Sequence, residues 1–163
     1  MIRVWCDGSI TGGHWGKKKG PKTIAHAYSA WVAKDEEGQP IEWRTVDLGE
    51  NPEHSANIAE YMAVRSALKW LMDNGYTAHA IQIHSDSQLI VAQLAGTNGC
   101  YVPKLIKLRD HVRDLAKQFP HVTYHWIPRE KNQEADILSK ALQVWGRQAT
   151  WKDVDKALGR DIY

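Results

Sequence analysis

The spacing of the hydrophobic residues changes near residue 55, and this change restricts the chain to a fold that mixes strands with helices. Before it, apolar residues over 1–10, 24–33 and 41–48 form short runs or alternate with polar ones, as is typical of strands. The turn-forming run Asp-Glu-Glu-Gly at 35–38 separates the second and third strands. The first third of the chain is therefore predicted to be an antiparallel meander.

After the change, helical and strand-like segments alternate. Apolar residues recur three or four positions apart from Ile58 to Met72, which predicts an amphipathic helix. Asn74 and Gly75 follow it and are suited to ending a helix. A short apolar strand is predicted over 81–83, followed by another helix.

The remaining elements continue this alternation. A helix is predicted to begin at Pro103, and a strand over 122–127 follows it. Asn132 is expected to cap a helix that runs to about Trp145, and a short helix is expected over 151–158. The expected order is βββ-α-β-α-α-β-α with a C-terminal extension. Strands separated by helices pair in parallel, and ligands bind beyond the carboxyl ends of such strands.

Four acidic residues lie in separate short motifs at places that this order brings together. Asp7 ends the first predicted apolar run, Asp86 follows the fourth strand where a helix begins, Glu60 lies one turn into a helix, and Asp136 lies near the start of another. Carboxylates gathered at one edge of a sheet repel each other, and a shared cation relieves that repulsion. Oxygen ligands favour Mg²⁺, which in turn indicates phosphate chemistry.

The composition fits one globular domain. The chain has 163 residues, of which 43% are hydrophobic and 25% charged, and its formal net charge is +2. No apolar run is long enough to span a membrane, and the first residues lack the pattern of a signal peptide. An intracellular, cytoplasmic protein is therefore expected, with its two cysteines unpaired. Five tryptophans in apolar strands or helix faces are expected to be buried or half-buried: Trp5, Trp31, Trp43, Trp70 and Trp126.

The four motifs resemble those of the type 1 ribonuclease H family, and the resemblance covers nearly the whole chain. Its motifs are matched in order by Asp7-Gly8-Ser9, by Asn57 with Glu60, by Asp86-Ser87-Gln88, and by Asn132 with Asp136. The resemblance implies an α/β, ribonuclease H-like fold with a mixed five-stranded sheet, three strands antiparallel and two parallel, flanked by helices. Residues 1–145 would be the catalytic domain and 146–163 a C-terminal extension of the same domain.

The family resemblance also implies an activity and its site residues. The expected protein is an endonuclease that cuts the RNA strand of RNA–DNA hybrids by two-metal-ion catalysis, leaving 5′-phosphate and 3′-hydroxyl ends. Two Mg²⁺ ions, replaceable by Mn²⁺, would be held by Asp7, Glu60, Asp86 and Asp136. Residues expected to bind the substrate are Gly8, Ser9, Asn57, Ser87, Gln88 and Asn132, together with the loop lysines Lys17, Lys18 and Lys19.

Two departures from the family pattern affect these expectations. The loop before the last motif is short and has no histidine, so Arg129 is the nearest functional substitute. His125 lies within the preceding strand and is expected to be structural. The basic segment that many family members carry between their third and fourth helices is missing, because residues 96–104 make only a short connection. Substrate binding is therefore expected to depend on other residues, such as the lysine loop.

Other interpretations remain open from the sequence. One is a different nuclease with the same fold, such as a resolvase or an exonuclease. Another is a binding module for hybrids without catalytic activity, and a third is a domain of a reverse transcriptase. No obligate protein partner or membrane association is indicated, and a monomer is expected.

Overall fold

A computed structural model of the protein describes residues 1–12 and 24–160, and a five-stranded sheet forms its centre. The strands are β1 (Ile2–Thr11), β2 (His26–Lys34), β3 (Pro40–Glu50), β4 (Ile81–Ser85) and β5 (Val122–Trp126). Their order across the sheet is β3-β2-β1-β4-β5. The first three strands pair antiparallel, whereas β4 pairs in parallel with both β1 and β5. The predicted mixed sheet is therefore confirmed.

Helices flank this sheet on both faces. They are α1 (Ala56–Asp73), α2 (Gln88–Ala95), α3 (Pro103–Ala116), α4 (Gln133–Ser139), α5 (Ala141–Trp145) and α6 (Trp151–Ala157), with a 3₁₀ turn at Arg129–Lys131. The Ser55 side chain caps α1 by accepting a hydrogen bond from the Ile58 amide. Gly96 ends α2 in the left-handed conformation, with φ of 80°.

Two hydrophobic clusters hold these layers together. The larger one lies between the sheet and α1, α2 and α3, and it buries Trp31, Tyr61 and Leu68 completely. The smaller one lies on the opposite face, where Leu138 of α4 and Val154 of α6 pack near Val32. The helix α4, which carries the last acidic motif, is thus held against the face of the sheet opposite α1.

Asn132 occupies the N-cap position of α4, as expected, although its side chain accepts no hydrogen bond from the helix and instead contacts β1. Two local predictions were wrong. The helix expected from Asn132 to Trp145 is two helices, because the backbone at Lys140 interrupts it. Trp126 is 47% exposed, because β5 is the edge strand and its last residue extends beyond the helices that cover the sheet.

Residues 1–12 and 24–160 contain neither a membrane-spanning helix nor a disulfide bond. None of the helices in these ranges has both the length and the apolar character needed to cross a membrane. Cys6 and Cys100 are both buried and unpaired. Cys6 is in β1 beside the acidic residues, and burial raises the pKa of its thiol well above the usual range, which keeps it protonated.

Candidate active site

Asp7 and Asp86 are brought to the same edge of the sheet by the pairing of β1 with β4. These strands run in parallel, with Cys6 opposite Ser85, so the residue that follows each of these two reaches the same end of the sheet. Asp7 is only 6% exposed, whereas Asp86 is partly exposed just before α2. The predicted convergence of these two carboxylates is present in the structure.

Glu60 reaches the same edge because α1 packs unusually close to β1. Gly8 permits this close approach because it has no side chain. A methyl group there would lie 2.6 Å from the Ala59 Cβ and 2.8 Å from the Glu60 backbone nitrogen. The Ser29 hydroxyl on β2 also donates a hydrogen bond to the Ala59 carbonyl oxygen. Together these contacts place Glu60 over the middle of β1, just beyond the point where its pairing with β4 ends.

Asp136 approaches from the opposite face of the sheet, in the first turn of α4. The Asn132 amide donates a 2.9 Å hydrogen bond to the Cys6 carbonyl oxygen, which joins the start of α4 to β1 next to Asp7. The Lys140 ammonium lies 3.1 Å and 3.3 Å from the two carboxylate oxygens of Asp136. In the described chain, Asp136 alone among the four acids is ion-paired with a lysine or arginine.

The four acids line one open cavity of about 440 Å³. Within it, one carboxylate oxygen from each of Asp7, Glu60 and Asp86 lies within 4.8 Å of the others. Asp136 is at the rim of this group, with Arg129 and Lys140 beside it. The cavity therefore combines three closely spaced carboxylates with a fourth carboxylate and two cationic side chains.

The three clustered carboxylates hold protons more tightly than ordinary acids do. Burial, followed by repulsion from Asp86 and Glu60, raises the pKa of Asp7 to about 8. Burial raises the pKa of Glu60 to about 7, although a hydrogen bond from Ser87 opposes the shift. Burial also raises the pKa of Asp86, against the opposing effects of Arg129 and Asn132. Such shifts are expected where like charges are held together away from water.

These residues fit a divalent cation with oxygen ligands. The Glu60 Oε2 atom is buried and has no hydrogen-bond partner among the described residues, although a buried carboxylate oxygen normally has one. Close carboxylate oxygens are the ligands that Mg²⁺ and Mn²⁺ prefer. Asp7, Glu60 and Asp86 are therefore suited to bind one ion, and Asp136 lines the same cavity.

The other predicted site residues differ in their exposure and in their hydrogen bonds. Arg129 lines the cavity beside the acids, and Gln88 is exposed at the start of α2. The Ser9 hydroxyl donates to the Ser139 carbonyl oxygen over 3.0 Å. The Ser87 side chain caps α2, and Asn57 is partly buried in the first turn of α1.

Other expectations concern residues that lie inside the protein or beyond the described ranges. Asn132 is 1% exposed, and its amide contacts β1 rather than the surface. His125 is in β5, as expected, and its ring stacks on His84 at 5.3 Å. The predicted substrate contacts Lys17, Lys18 and Lys19 lie outside the described residues.

Sequence reasoning missed two residues at this site. Lys140 follows Asp136 by four positions, a spacing that forms ion pairs on helices, so the pattern was available in the sequence. Trp126 donates its indole N–H to the Asp86 carbonyl oxygen over 3.2 Å. No local pattern distinguishes this exposed tryptophan from the core tryptophans, because only the position of β5 at the sheet edge leaves it uncovered.

Comparison with known proteins identifies relatives of this fold and site. A family profile described as "Reverse transcriptase-like" matches residues 19–142. The bifunctional protein Rv2228c of Mycobacterium tuberculosis is 34% identical over 101 residues, which are 62% of this chain and 27% of that protein. The match thus spans about a quarter of the relative's length.

Two solved structures have the same fold over most of their length. The crystal structure of RNase H1 from Halobacterium salinarum superposes with a TM-score of 0.74 at 27% identity, covering 87% of this chain and 97% of that one. LC11-RNase H1, isolated from compost, was solved in complex with an RNA/DNA hybrid. It superposes with a TM-score of 0.72 at 26% identity, covering 97% of this chain and 99% of that one.

Proposed function

This chain belongs to the reverse transcriptase-like family, and from that membership and its acidic site we propose that it cuts the RNA strand of RNA–DNA hybrids. The proposed protein is a ribonuclease H that acts as an endonuclease, depends on Mg²⁺ or Mn²⁺, and leaves 5′-phosphate and 3′-hydroxyl ends. We propose further that it acts as an intracellular monomer.

The convergence of Asp7, Glu60 and Asp86 is the observation that carries this proposal. Their oxygens lie within 4.8 Å of one another, and burial raises the pKa values of all three carboxyl groups. Three acids with this spacing, of which Asp7 is buried and Glu60 and Asp86 are partly buried, destabilise a fold unless a cation compensates their charge. A structural relative, LC11-RNase H1, binds an RNA/DNA hybrid, which supports the choice of substrate.

The four carboxylates have distinct proposed roles. Asp7, central on β1, would be shared by both ion sites, Glu60 and Asp86 would complete one site, and Asp136 would complete the other. Bound divalent ions supply an activated water and neutralise the charge that develops at the phosphate and the leaving oxygen.

The remaining residues would bind and orient the substrate. Arg129, beside the acids, would hold the scissile phosphate through its guanidinium group. The Gly8 backbone, Glu60 and Gln88 would contact the ribose 2′-hydroxyl, which distinguishes RNA from DNA. Asn57 and Gln88 would face the minor groove of the hybrid. Asn132, which is buried, would act by positioning α4.

The decisive experiment compares cleavage of a labelled RNA–DNA hybrid with cleavage of matched RNA–RNA and DNA–DNA duplexes in Mg²⁺. Wild-type protein should cut only the hybrid, and Asp7→Asn should lose at least about 1000-fold in rate, because a metal site contributes several kcal/mol to catalysis. Asp114→Asn is the matched control, since this exposed aspartate on α3 lies away from the cavity. Cleavage of another duplex would favour a different nuclease, and binding of the hybrid without cleavage would favour a binding module.

A further inference from the structure

Trp126 is the last residue of β5 and has two properties that the catalytic proposal does not use. Its indole N–H donates to the Asp86 carbonyl oxygen over 3.2 Å, so one edge of the ring is attached to the turn that carries a proposed metal ligand. The side chain is nevertheless 47% exposed. A large aromatic ring is thus held in a defined orientation and presented to solvent at the site.

The surroundings of Trp126 continue the proposed substrate surface. Trp126 lies opposite Ser85 in the sheet, one residue before Asp86. On the other side of Asp86, Gln88 is exposed at the start of α2, and Leu89 after it is 37% exposed. Exposed groups, two of them apolar, thus adjoin Asp86, which lines the acidic cavity.

We propose that Trp126 is a substrate-contact residue whose exposed ring face stacks on a nucleotide of the hybrid that passes Asp86. The inference rests on the proposed function, because it takes the hybrid as the molecule that covers this surface. Aromatic rings bind nucleic acids in this way without sequence preference, since every base has a flat face. The hydrogen bond to Asp86 orients the ring in advance, which lowers the entropy lost on binding.

Stacking on Trp126 would add binding affinity for the hybrid in a chain that lacks the basic segment of the family. The connection between α2 and α3 is short, covering residues 96–102, and it carries no lysine or arginine. Stacking depends less on salt than phosphate contacts do. The apolar surface at Trp126 would therefore hold the hybrid beside Asp86 even where phosphate contacts are few.

The test measures binding separately from cleavage. Binding of a fluorescently labelled hybrid is measured by anisotropy at fixed salt, in the inactive Asp7→Asn background. Adding Trp126→Ala should raise the Kd roughly fivefold or more, the loss expected for one stacked base. Trp126→Phe keeps a ring but removes the N–H donor, and it should raise the Kd less than Trp126→Ala does. His79→Ala is the control, because it removes another exposed ring, one that precedes β4 and so lies at the opposite end of the strands from Trp126.

The possible outcomes are distinct. An unchanged Kd in Trp126→Ala would overturn the inference. So would an equal loss of kcat in Trp126→Ala and Trp126→Phe at unchanged Kd, because that pattern shows a residue that only positions Asp86. If the wild-type protein cuts the hybrid, but Trp126→Ala and Trp126→Phe bind it with unchanged Kd, only this inference fails and the proposed function stands. If the wild-type protein neither binds nor cuts the hybrid, the proposed function itself fails.

Discussion

The amide of Asn132 donates a hydrogen bond of 2.9 Å to the carbonyl oxygen of Cys6, across 126 positions of the chain. This bond joins the start of α4, on one face of the sheet, to the strand residue that precedes Asp7. Asp136 lies one turn further along α4. The distance between the first and last acids therefore depends on a contact made by a residue that is itself buried.

Replacing Asn132 by alanine should lower both stability and activity. The loss of this buried hydrogen bond is expected to cost about 1–3 kcal/mol of unfolding free energy, measured by urea denaturation. Cleavage of the hybrid should fall further than stability alone explains, because Asp136 is no longer held near Asp7. Asn74→Ala is the control, since Asn74 also donates to a backbone carbonyl, that of Trp70, but at an exposed helix end. Equal effects of both variants on cleavage would contradict the prediction.

Gly8→Ala should separate α1 from β1. The added methyl group would lie 2.6 Å from the Ala59 Cβ, so the helix must shift, at a cost of about 1–3 kcal/mol in stability. Because the shift also moves Glu60 away from Asp7, binding of Mn²⁺ measured by calorimetry should weaken. Gly75→Ala is the control: its backbone φ of 87° costs about 1–2 kcal/mol in an alanine, but no atom clashes there. The two variants should be similarly destabilised, and only Gly8→Ala should lose metal affinity.

Without divalent cations, the unfolding free energy should fall as pH rises from 6.5 to 8. The pKa of Asp7 is raised from 3.8 to about 8 and that of Glu60 from 4.5 to about 7, so the folded protein binds protons that the unfolded chain has lost. Stability then decreases with pH through this window. Below pH 6.5, His84 opposes the trend, because burial lowers its pKa from 6.5 to about 4.

The variant Asp7→Asn tests this pH dependence directly. It removes the most strongly shifted carboxyl group and the repulsion from Asp86 and Glu60, so it should flatten the fall measured by urea denaturation in chelator. At pH 8 without metal, it should be more stable than the wild-type protein. Added Mg²⁺ should stabilise the wild-type protein more than the variant. A wild-type stability that rises between pH 6.5 and 8 would show that the acids are not coupled in this way.

Lys140 should compete with a cation for Asp136. Its ammonium contacts both oxygens of that carboxylate, and the two side chains are 46% and 30% exposed, so the pair is weak enough to be displaced. Lys140→Met is expected to bind Mn²⁺ about two- to fivefold more tightly by calorimetry, as the modest strength of such pairs implies. Lys140→Arg should behave as the wild-type protein does. In an Asp136→Asn background, Lys140→Met should have no effect, and any remaining effect would place its action elsewhere.

Glu134 should couple the C-terminal segment to α4. Its carboxylate, in a side chain only 16% exposed, lies 2.7 Å from the Lys34 ammonium and 2.8 Å from the Arg160 guanidinium. Glu134→Gln is expected to lower the unfolding free energy by about 1–3 kcal/mol, because it leaves the Lys34 ammonium, in a side chain only 17% exposed, without its carboxylate partner, whereas Arg160 keeps its ion pair with Asp155. The exposed pair of Glu53 with Lys104 provides the control, and Glu53→Gln should leave stability unchanged.

The same variant tests the prediction that residues 146–163 belong to the catalytic domain. If they do, Glu134→Gln should shift a single urea transition, seen equally by tryptophan fluorescence and by circular dichroism. Two separate transitions would instead show that the C-terminal segment unfolds independently.

Much of the fold could be predicted from the sequence because the relevant signals are local. The period of the apolar residues between Ile58 and Met72 predicts α1, and Gly96 and Pro103 mark the end of α2 and the start of α3. The acids were identified by the same reasoning, since each one stands in a short motif, and three of the four lie at the end of a strand-like run or near the start of a helix-like one. Such patterns act over a few residues and are visible without the rest of the chain.

The sequence by itself thus determined which elements form, in what order, and which four carboxylates approach one edge of the sheet. Tertiary structure alone decided how close they come: Gly8 admits α1, the Asn132 amide holds α4 against β1, and the edge position of β5 leaves Trp126 exposed. Each of these relationships joins residues far apart along the chain. They depend on contact distances and on which surfaces remain uncovered after packing, and no local pattern of residues specifies either quantity.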